Sequence, residues 1–454
     1  MRPPFHPASR PSNSSQAKKL MCASAVAKLI LCTPFCSGVT LPFLGDAAFR
    51  LAAPIIIIAA KNKAIYFDHA ATTPVCEQAL QKMLPYFSEV YGNPNSQHAF
   101  GRDSAKAVDE ARDSIAKIIN AKPNEVYFTS GGTESDNWAL RGIAHAHKDK
   151  GNHIIISPIE HAAMIVTAKA LEKEGFEVDF MKVDSEGVVD LEHLKGLVKK
   201  GTILVGCMMA NNEVGTIEPI KEIVEIAHSV GAYCFTDAVQ AAGVLKIDVK
   251  ELGVDLMSMS SHKIYGPKGV GALYVRNGVK IGSILTGGHQ ERMKRGGTTN
   301  VPAIVGFAEA FRIADRDLEK NFEYVTALRD HFIDRVLNEV PFVKLNGPRY
   351  NRLPANADFS FEFIEGESIL FSLDLAGICV SSGSACSSGS LEPSHVLLSL
   401  GLPEELAHGS IRFSFGKHNT MEQVDYAVET IKSAVQRLRE MSPLFKAQGD
   451  IKYV

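Results

Sequence analysis

Residues 203–240 read ILVGCMMANNEVGTIEPIKEIVEIAHSVGAYCFTDAVQ, and their pattern decides the fold class. Ile203–Met209 is an apolar run of strand length. After a polar turn, Ile220–Val230 repeats its apolar residues at helical spacing. Ala232–Thr236 is a second apolar run, closed by the acid Asp237. Two apolar strands joined by an amphipathic helix predict a βαβ crossover, with parallel strands covered on both faces.

The same rhythm continues on either side. Glu125–Thr129 (EVYFT), His153–Ser157 (HIIIS), Asp255–Ser260 (DLMSMS) and Val270–Val275 (VGALYV) are further strand candidates. Helical patterns fall at Asp136–Lys148, Ala163–Glu174 and Leu191–Lys199. Such alternation predicts an α/β domain with a mainly parallel sheet. Beyond Leu318 the rhythm changes to a long helical pattern (Leu318–Asn338), strand candidates at Asp358–Phe363, Ile378–Ser381 and Ser410–Phe415, and a last helix at Met421–Met441. This predicts a smaller α+β domain. The expected division is an arm over 63–75 that joins the small domain, a large domain over 76–318 and a small domain over 319–454.

Composition narrows the class. The formal net charge of −3 over 454 residues argues against a nucleic-acid binder held by phosphate contacts. The 8 cysteines form no CxxC pair and no cluster at zinc spacing, which fits reduced thiols rather than a disulfide framework. No resident metal site is expected. Residues 1–62 are a different kind of sequence, rich in Ser, Pro and Ala, with Asp46 the single acid. Their apolar stretches, Ala25–Cys36 and Ala52–Ala60, are short of the roughly 20 residues that a membrane span requires. The leader reads as a disordered extension, an organelle transit peptide or a start placed too far upstream. The expected location is the cytoplasm, or an organelle matrix if the leader is a transit peptide.

Three segments carry chemistry. Phe128-Thr-Ser-Gly-Gly-Thr-Glu-Ser-Asp-Asn137 is a strand, a glycine turn and a helix start, with Thr133 or Ser135 expected near the cap. Free N–H groups and the helix dipole suit a phosphate there, although such a turn alone is more often only a turn. Thr236-Asp-Ala-Val-Gln240 sets an acid at a strand's carboxyl end, where α/β sheets bind ligands, or where an ordinary helix cap sits. Ser258-Met-Ser-Ser-His-Lys-Ile-Tyr-Gly-Pro-Lys-Gly269 puts Lys263 just past another apolar strand, in a polar loop. A phosphate loop, an acid and a lysine in that order match the needs of pyridoxal phosphate (PLP). This cofactor takes a Schiff-base lysine, an acid at the pyridine nitrogen and donors for its phosphate.

From Tyr66 to about Leu444 the chain resembles the NifS/IscS-type cysteine desulfurases of the class-V aminotransferase family. The matching motifs are Asp68-His-Ala-Ala-Thr-Thr-Pro74, Gly92-Asn-Pro-Asn-Ser96, Thr129-Ser-Gly-Gly-Thr-Glu-Ser135, Glu160-His161, Asn211-Asn-Glu-Val-Gly215 and Thr236-Asp-Ala-Val-Gln240. Ser261-His-Lys-Ile-Tyr-Gly-Pro-Lys-Gly269, Ser381-Ser-Gly-Ser-Ala-Cys386 and Gly409-Ser-Ile-Arg-Phe-Ser414 complete the series. The resemblance implies an aspartate-aminotransferase-like fold (type I), with a mainly parallel seven-stranded sheet in the large domain.

It also implies roles. Lys263 holds PLP and later moves the Cα proton, Asp237 pairs with the pyridine nitrogen, and Gln240 bonds the phenolic oxygen. His161 stacks on the ring and acts in proton transfer. Gly132, Thr133, Ser260 and His262 bind the phosphate, joined by Thr298 from a second subunit, so a homodimer is implied. Asn212 and Arg412 take the carboxylate of L-cysteine; Asn212 is also counted with the cofactor site. Cys386, in a tract of small residues, accepts the sulfur as a persulfide and passes it to an Fe–S scaffold protein or another acceptor, where it transiently contacts the cluster. A lone cysteine is otherwise most often a buried small hydrophobe, which suits Cys207 and Cys234 better than Cys386. Two departures stand out. Ser261 replaces the family's common Gly or Ala, and the tail after Leu444 does not match the housekeeping type's scaffold-docking end.

Overall fold

The computed structural model describes residues 64–382 and 392–449. The chain divides between Ala64 and Ile65, and every described element belongs to the unit that begins at Ile65. The leader lies outside the described residues.

Seven strands form the central sheet: β2 (Val126–Thr129), β3 (His153–Ile156), β4 (Glu177–Phe180), β5 (Thr202–Gly206), β6 (Tyr233–Asp237), β7 (Leu256–Ser260) and β8 (Gly271–Val275). Their order is β2-β8-β7-β6-β5-β3-β4. The pairs β3–β4, β3–β5, β5–β6 and β6–β7 are parallel, and β8 alone runs against both its neighbours. The expected α/β sheet is therefore present, with a single reversed strand.

Successive side chains in a strand point to opposite faces, so a strand covered on both sides must be apolar throughout. Ile154 and Ile156 pack on one face with Leu204 and Phe235 of the neighbouring strands and with Trp138 and Met164 of the helices Gly132–Ala146 and Ala162–Lys173. Ile155 points the other way, into a core with Val205, Cys234, Met257 and the helices Ala99–Ile118, Ile220–Ser229 and Val301–Arg316. Cys207 and Cys234 are fully buried there, and burial pushes both thiols up, away from reactivity.

A second sheet, β9 (Val343–Asn346), β10 (Asn356–Phe361) and β12 (Ser410–Ser414), is antiparallel in the order β12-β10-β9. It packs Phe359 and Phe413, with the adjoining Phe415, against Phe332 of the helix Leu318–Glu339 and against the helix Met421–Met441. β1 (Ile65–Tyr66) pairs in parallel with β11 (Ile378–Cys379). Among the described residues, no helix is long and apolar enough to cross a membrane.

Asp237 stands where expected, at the carboxyl end of its strand, as the last residue of β6. Some local expectations need correcting. The helix expected from Asp136 starts at Gly132, with Gly131 as its N-cap at φ 153°. Thr133 and Ser135 therefore sit inside the first turn, not at the cap. Lys263 closes a single 3₁₀ turn, Ser261–Lys263, instead of lying in an open loop. β4 and β9 are additions that the apolar pattern does not predict.

Candidate active site

The carboxyl ends of β5, β6 and β7 open into a cavity of about 450 Å³. Ten of the twelve expected site residues line it. They fall into three walls and a central lysine.

One wall suits a phosphate. Gly131 has no side chain to cap the helix after it, so the N–H groups of its first turn remain available. Gly132 and Thr133 face the cavity beside Ser260, the last residue of β7, and His262. A Cβ on Gly132 would stand 2.7 Å from Val239 Cγ2, so the cradle has room only for backbone. Burial, and then the positive charges of Lys263 and Lys268, press the His262 imidazole down to about 4. It is thus neutral near pH 7, with Nδ1 3.1 Å from Thr72 Oγ1.

The second wall suits a heteroaromatic ring. Asp237 is buried, and its Oδ1 accepts from Val239 N at 2.8 Å. Burial pushes its carboxyl up, opposed by that backbone bond and by the charges of His161 and Lys263. A protonated ring nitrogen is the partner that such a carboxylate lacks. His161 caps the helix Ala162–Lys173, and its Nδ1 accepts from Ala163 N at 3.1 Å. That bond fixes the ring and leaves the proton of the neutral form on Nε2. Gln240 donates from Nε2 to Ala70 O at 3.1 Å.

At the third wall stands Arg412, in β12 and only 2% exposed. Its Nη1 donates to Asn212 O and its Nη2 to Asp68 Oδ1, each at 3.1 Å. Its Nε is buried with no partner. Arg412 lines the cavity, and its two Nη atoms have N–H groups beyond those given to Asn212 and Asp68, which suits a ligand carboxylate. Asn212 lies beside it because Asn211 builds the turn. Asn211 Oδ1 accepts from Glu213 N and Val214 N at 2.8 and 2.9 Å. Of the two adjacent asparagines, one shapes backbone and the other lines the cavity.

Lys263 reaches into the middle. Its Nζ donates to Ala70 O at 2.5 Å and to Ala71 O at 2.9 Å. Thr73 Oγ1 donates to His262 O at 2.8 Å and accepts from Tyr265 N at 2.8 Å. The Asp68–Pro74 segment thus threads the site and holds the lysine, the glutamine and the His262 turn together. The room-for-backbone cradle, the buried acid, the reachable lysine and the unsatisfied arginine fit PLP and an amino-acid substrate.

Two expected residues stand apart. Thr298 is exposed and does not line this chain's own cavity. Cys386 lies outside the described residues. Ser381, which opens its motif, exchanges backbone bonds with Arg412, N to O at 3.3 Å and O from N at 2.8 Å.

The cavity also holds residues to which the sequence assigns no role of their own. Asp136 sits one helical turn after Gly132, fully buried, its carboxyl pushed well up by burial and by the charge of Asp237. Burial and Asp237 do the same to Glu160, whose Oε1 accepts from Met208 N at 2.6 Å. His395 has Nε2 3.0 Å from Glu160 O. The spacing of Asp136 from Gly132, four residues on one helix face, was the available signal. His395 had none, since it arrives from far along the chain.

Residues 65–427 match the family Aminotransferase class-V. The chain is 52% identical over 387 residues to a Clostridium botulinum protein named cysteine desulfurase IscS, covering 85% of this chain and 98% of that one. A Dictyoglomus turgidum protein of the same name is 51% identical over 382 residues, covering 84% and 97%. Among solved structures, a NifS-like protein matches with a TM-score of 0.78 at 39% identity, over 83% of this chain and all of that one. One described as SspA in complex with cysteine matches with a TM-score of 0.69 at 33% identity, over 78% of this chain and 100% of its own.

Proposed function

Because the chain belongs to the class-V aminotransferase family, and within it to the IscS-type cysteine desulfurases, we propose that it takes sulfur from L-cysteine and releases L-alanine. PLP, when bound, supplies the electron sink for the carbanion at the substrate's Cα. The observation that carries the reading is the meeting of Lys263, Asp237 and Arg412 in one cavity.

Each residue has a task. Arg412 and Asn212 hold the carboxylate and so fix the Cα–H bond relative to the ring. Lys263 leaves the carbonyls of Ala70 and Ala71 to hold PLP, and later carries the Cα proton. Asp237 keeps the ring nitrogen protonated, Gln240 bonds the phenolic oxygen, and His161 stacks on the ring with a donor proton at Nε2. Gly132, Thr133, Ser260 and neutral His262 donate to the phosphate, together with Thr298 of the partner subunit in a homodimer. The Cys386 thiolate takes the sulfur atom and later gives it to an acceptor such as an Fe–S scaffold protein. Relatives in bacteria and archaea support a cytoplasmic setting.

The test is Cys386→Ser. A hydroxyl cannot carry the sulfur, while cysteine binding and Cα proton loss need only Lys263, Asp237 and Arg412. The variant should still exchange the Cα proton of L-cysteine with deuterated solvent. Its alanine output should drop by roughly two to three orders of magnitude, as when a covalent nucleophile is removed. Near-normal alanine production would remove Cys386 from the mechanism.

A further inference from the structure

The helix that brings Gly132 and Thr133 to the cavity carries a charge in its first turn. Glu134 is the third residue of the helix Gly132–Ala146, at the end where an anion would bind. Its carboxylate has a structural task there, since Oε2 accepts from Ser130 N at 2.8 Å and so braces the turn leading to Gly131. Burial pushes the Glu134 carboxyl up, yet the hydrogen bonds from Arg295 and Ser130 outweigh it and hold the group below its ordinary value. Glu134 is therefore ionised, and its negative charge opposes a phosphate at the same helix end.

Arg295 answers that charge. Its Nε donates to Glu134 Oε1 at 2.7 Å and its Nη2 to Oε2 at 3.0 Å, a two-pronged contact between half-buried side chains. The loop that delivers it is firmly fixed. Glu291 accepts two bonds from Arg112, both at 2.8 Å, and a third from Phe128 N at 3.0 Å. Glu291, Arg292 and Met293 are all held at positive φ, at 43°, 57° and 65°. A non-glycine residue in that region costs on the order of 1–3 kcal/mol, so the loop is held by its contacts and not by local preference. Next to Arg295 the backbone closes on itself, since a Cβ on Gly296 would lie 2.9 Å from Gly287 Cα.

We propose that Arg295 is a positioning residue for the phosphate wall. It cancels the charge of Glu134, so that the turn keeps its brace while the helix end still accepts the cofactor's phosphate. This rests on the reading that Gly132 and Thr133 hold the phosphate of PLP.

Binding of PLP and of pyridoxal, which lacks the phosphate, to the full-length apoprotein tests it. Trp138, the single tryptophan, lies in the same helix and gives a fluorescence signal besides equilibrium dialysis. Arg295→Gln should weaken PLP binding roughly tenfold, the scale of one partly buried charge at a helix end, and change pyridoxal binding by no more than about twofold. Adding Glu134→Gln should restore most of the loss, because the uncancelled charge is then gone. A double variant as weak as Arg295→Gln, or an equal loss for pyridoxal, would show that Arg295 only holds the loop in shape and would overturn the proposal. Arg295→Met replaces Arg295→Gln if the latter does not fold. Parent protein that bound pyridoxal as tightly as PLP would refute the phosphate reading itself, a failure distinct from a missing rescue by Glu134→Gln.

Discussion

Glu218 shows how a single side chain links burial to pH. Its Oε2 accepts from Val189 N at 3.0 Å, its Oε1 has no partner, and it is 5% exposed. Burial pushes the carboxyl from 4.5 up to about 8, against the pull of that one backbone bond. The folded chain thus keeps a proton between those values that the unfolded chain releases. Glu218 contributes its full stability below the unfolded value, and the contribution is lost as pH rises through the folded one. Glu218→Gln, which needs no proton, should flatten the alkaline fall in stability, by at most about 1.4 kcal/mol per pH unit. Denaturant melts of parent and variant at several pH values between 5 and 9 check this, and parallel curves would contradict it. At this scale the site was legible where chemistry announces itself in a short motif. Lys263, Asp237 and Arg412 each stand in a recognisable phrase and each lines the cavity. Asp136 and Glu160 also stand in such phrases and line the cavity, but sequence alone assigns them no task, because their meaning comes from burial beside Asp237; His395 stands in none and arrives through a contact between distant segments.

At the scale of elements, the start of the phosphate helix depends on one backbone conformation. Gly131 stands at φ 153° and ψ −173°, a region closed to other residues. It turns the chain from β2 into the helix without spending a side chain where the phosphate would sit. Gly131→Ala should force the first turn to re-form, at about 1–3 kcal/mol. PLP affinity, measured on the apoprotein, should fall by roughly tenfold or more, while the rest of the fold remains. Unchanged affinity would mean that the donors lie elsewhere. Elements were legible where packing leaves an apolar pattern, as in β3, β5 and β6. The helix Ala99–Ile118 escaped notice because its buried face is mostly small, with Ala107, Ala111 and Ala116 beside Val108 and Ile115. It packs on Val301–Arg316, whose own buried residues include the small Ala303, Gly306, Ala308 and Ala310. Close approach of backbones selects small residues, which weakens the pattern that reveals a helix. β4, an edge strand with Glu177 and Asp179, and β9, another edge, were hidden by their polar residues.

For the whole molecule, the decisive question is where the folded unit begins. Ile65 N donates to Gly377 O at 2.8 Å and Phe67 N to Cys379 O at 2.9 Å, while Ser414 N donates to Phe67 O at 2.7 Å. Phe67 is fully buried, its ring 4.8 Å from that of Phe415, in the same core as Phe332 and Phe413. Asp68 pairs with Arg412 at 3.1 Å. The first few residues of this unit therefore bind β11, β12 and the carboxylate wall of the cavity at once. Removal of residues 1–62 leaves all of these contacts in place, and should preserve Tm and PLP content. Removal of residues 1–68 takes away β1, the Phe67 ring and the acidic partner of Arg412. Losing a buried phenylalanine alone costs about 3–5 kcal/mol, so Tm should fall by at least about 5 °C. Cysteine affinity should fall with it, because Arg412 loses the carboxylate that orients it. Calorimetry and cysteine titration of the two truncated proteins separate the cases. If the shorter cut already releases PLP, the leader belongs to the fold. If the longer cut changes nothing, the small sheet is held by its own helices, and the segment at 65–68 only rests on it.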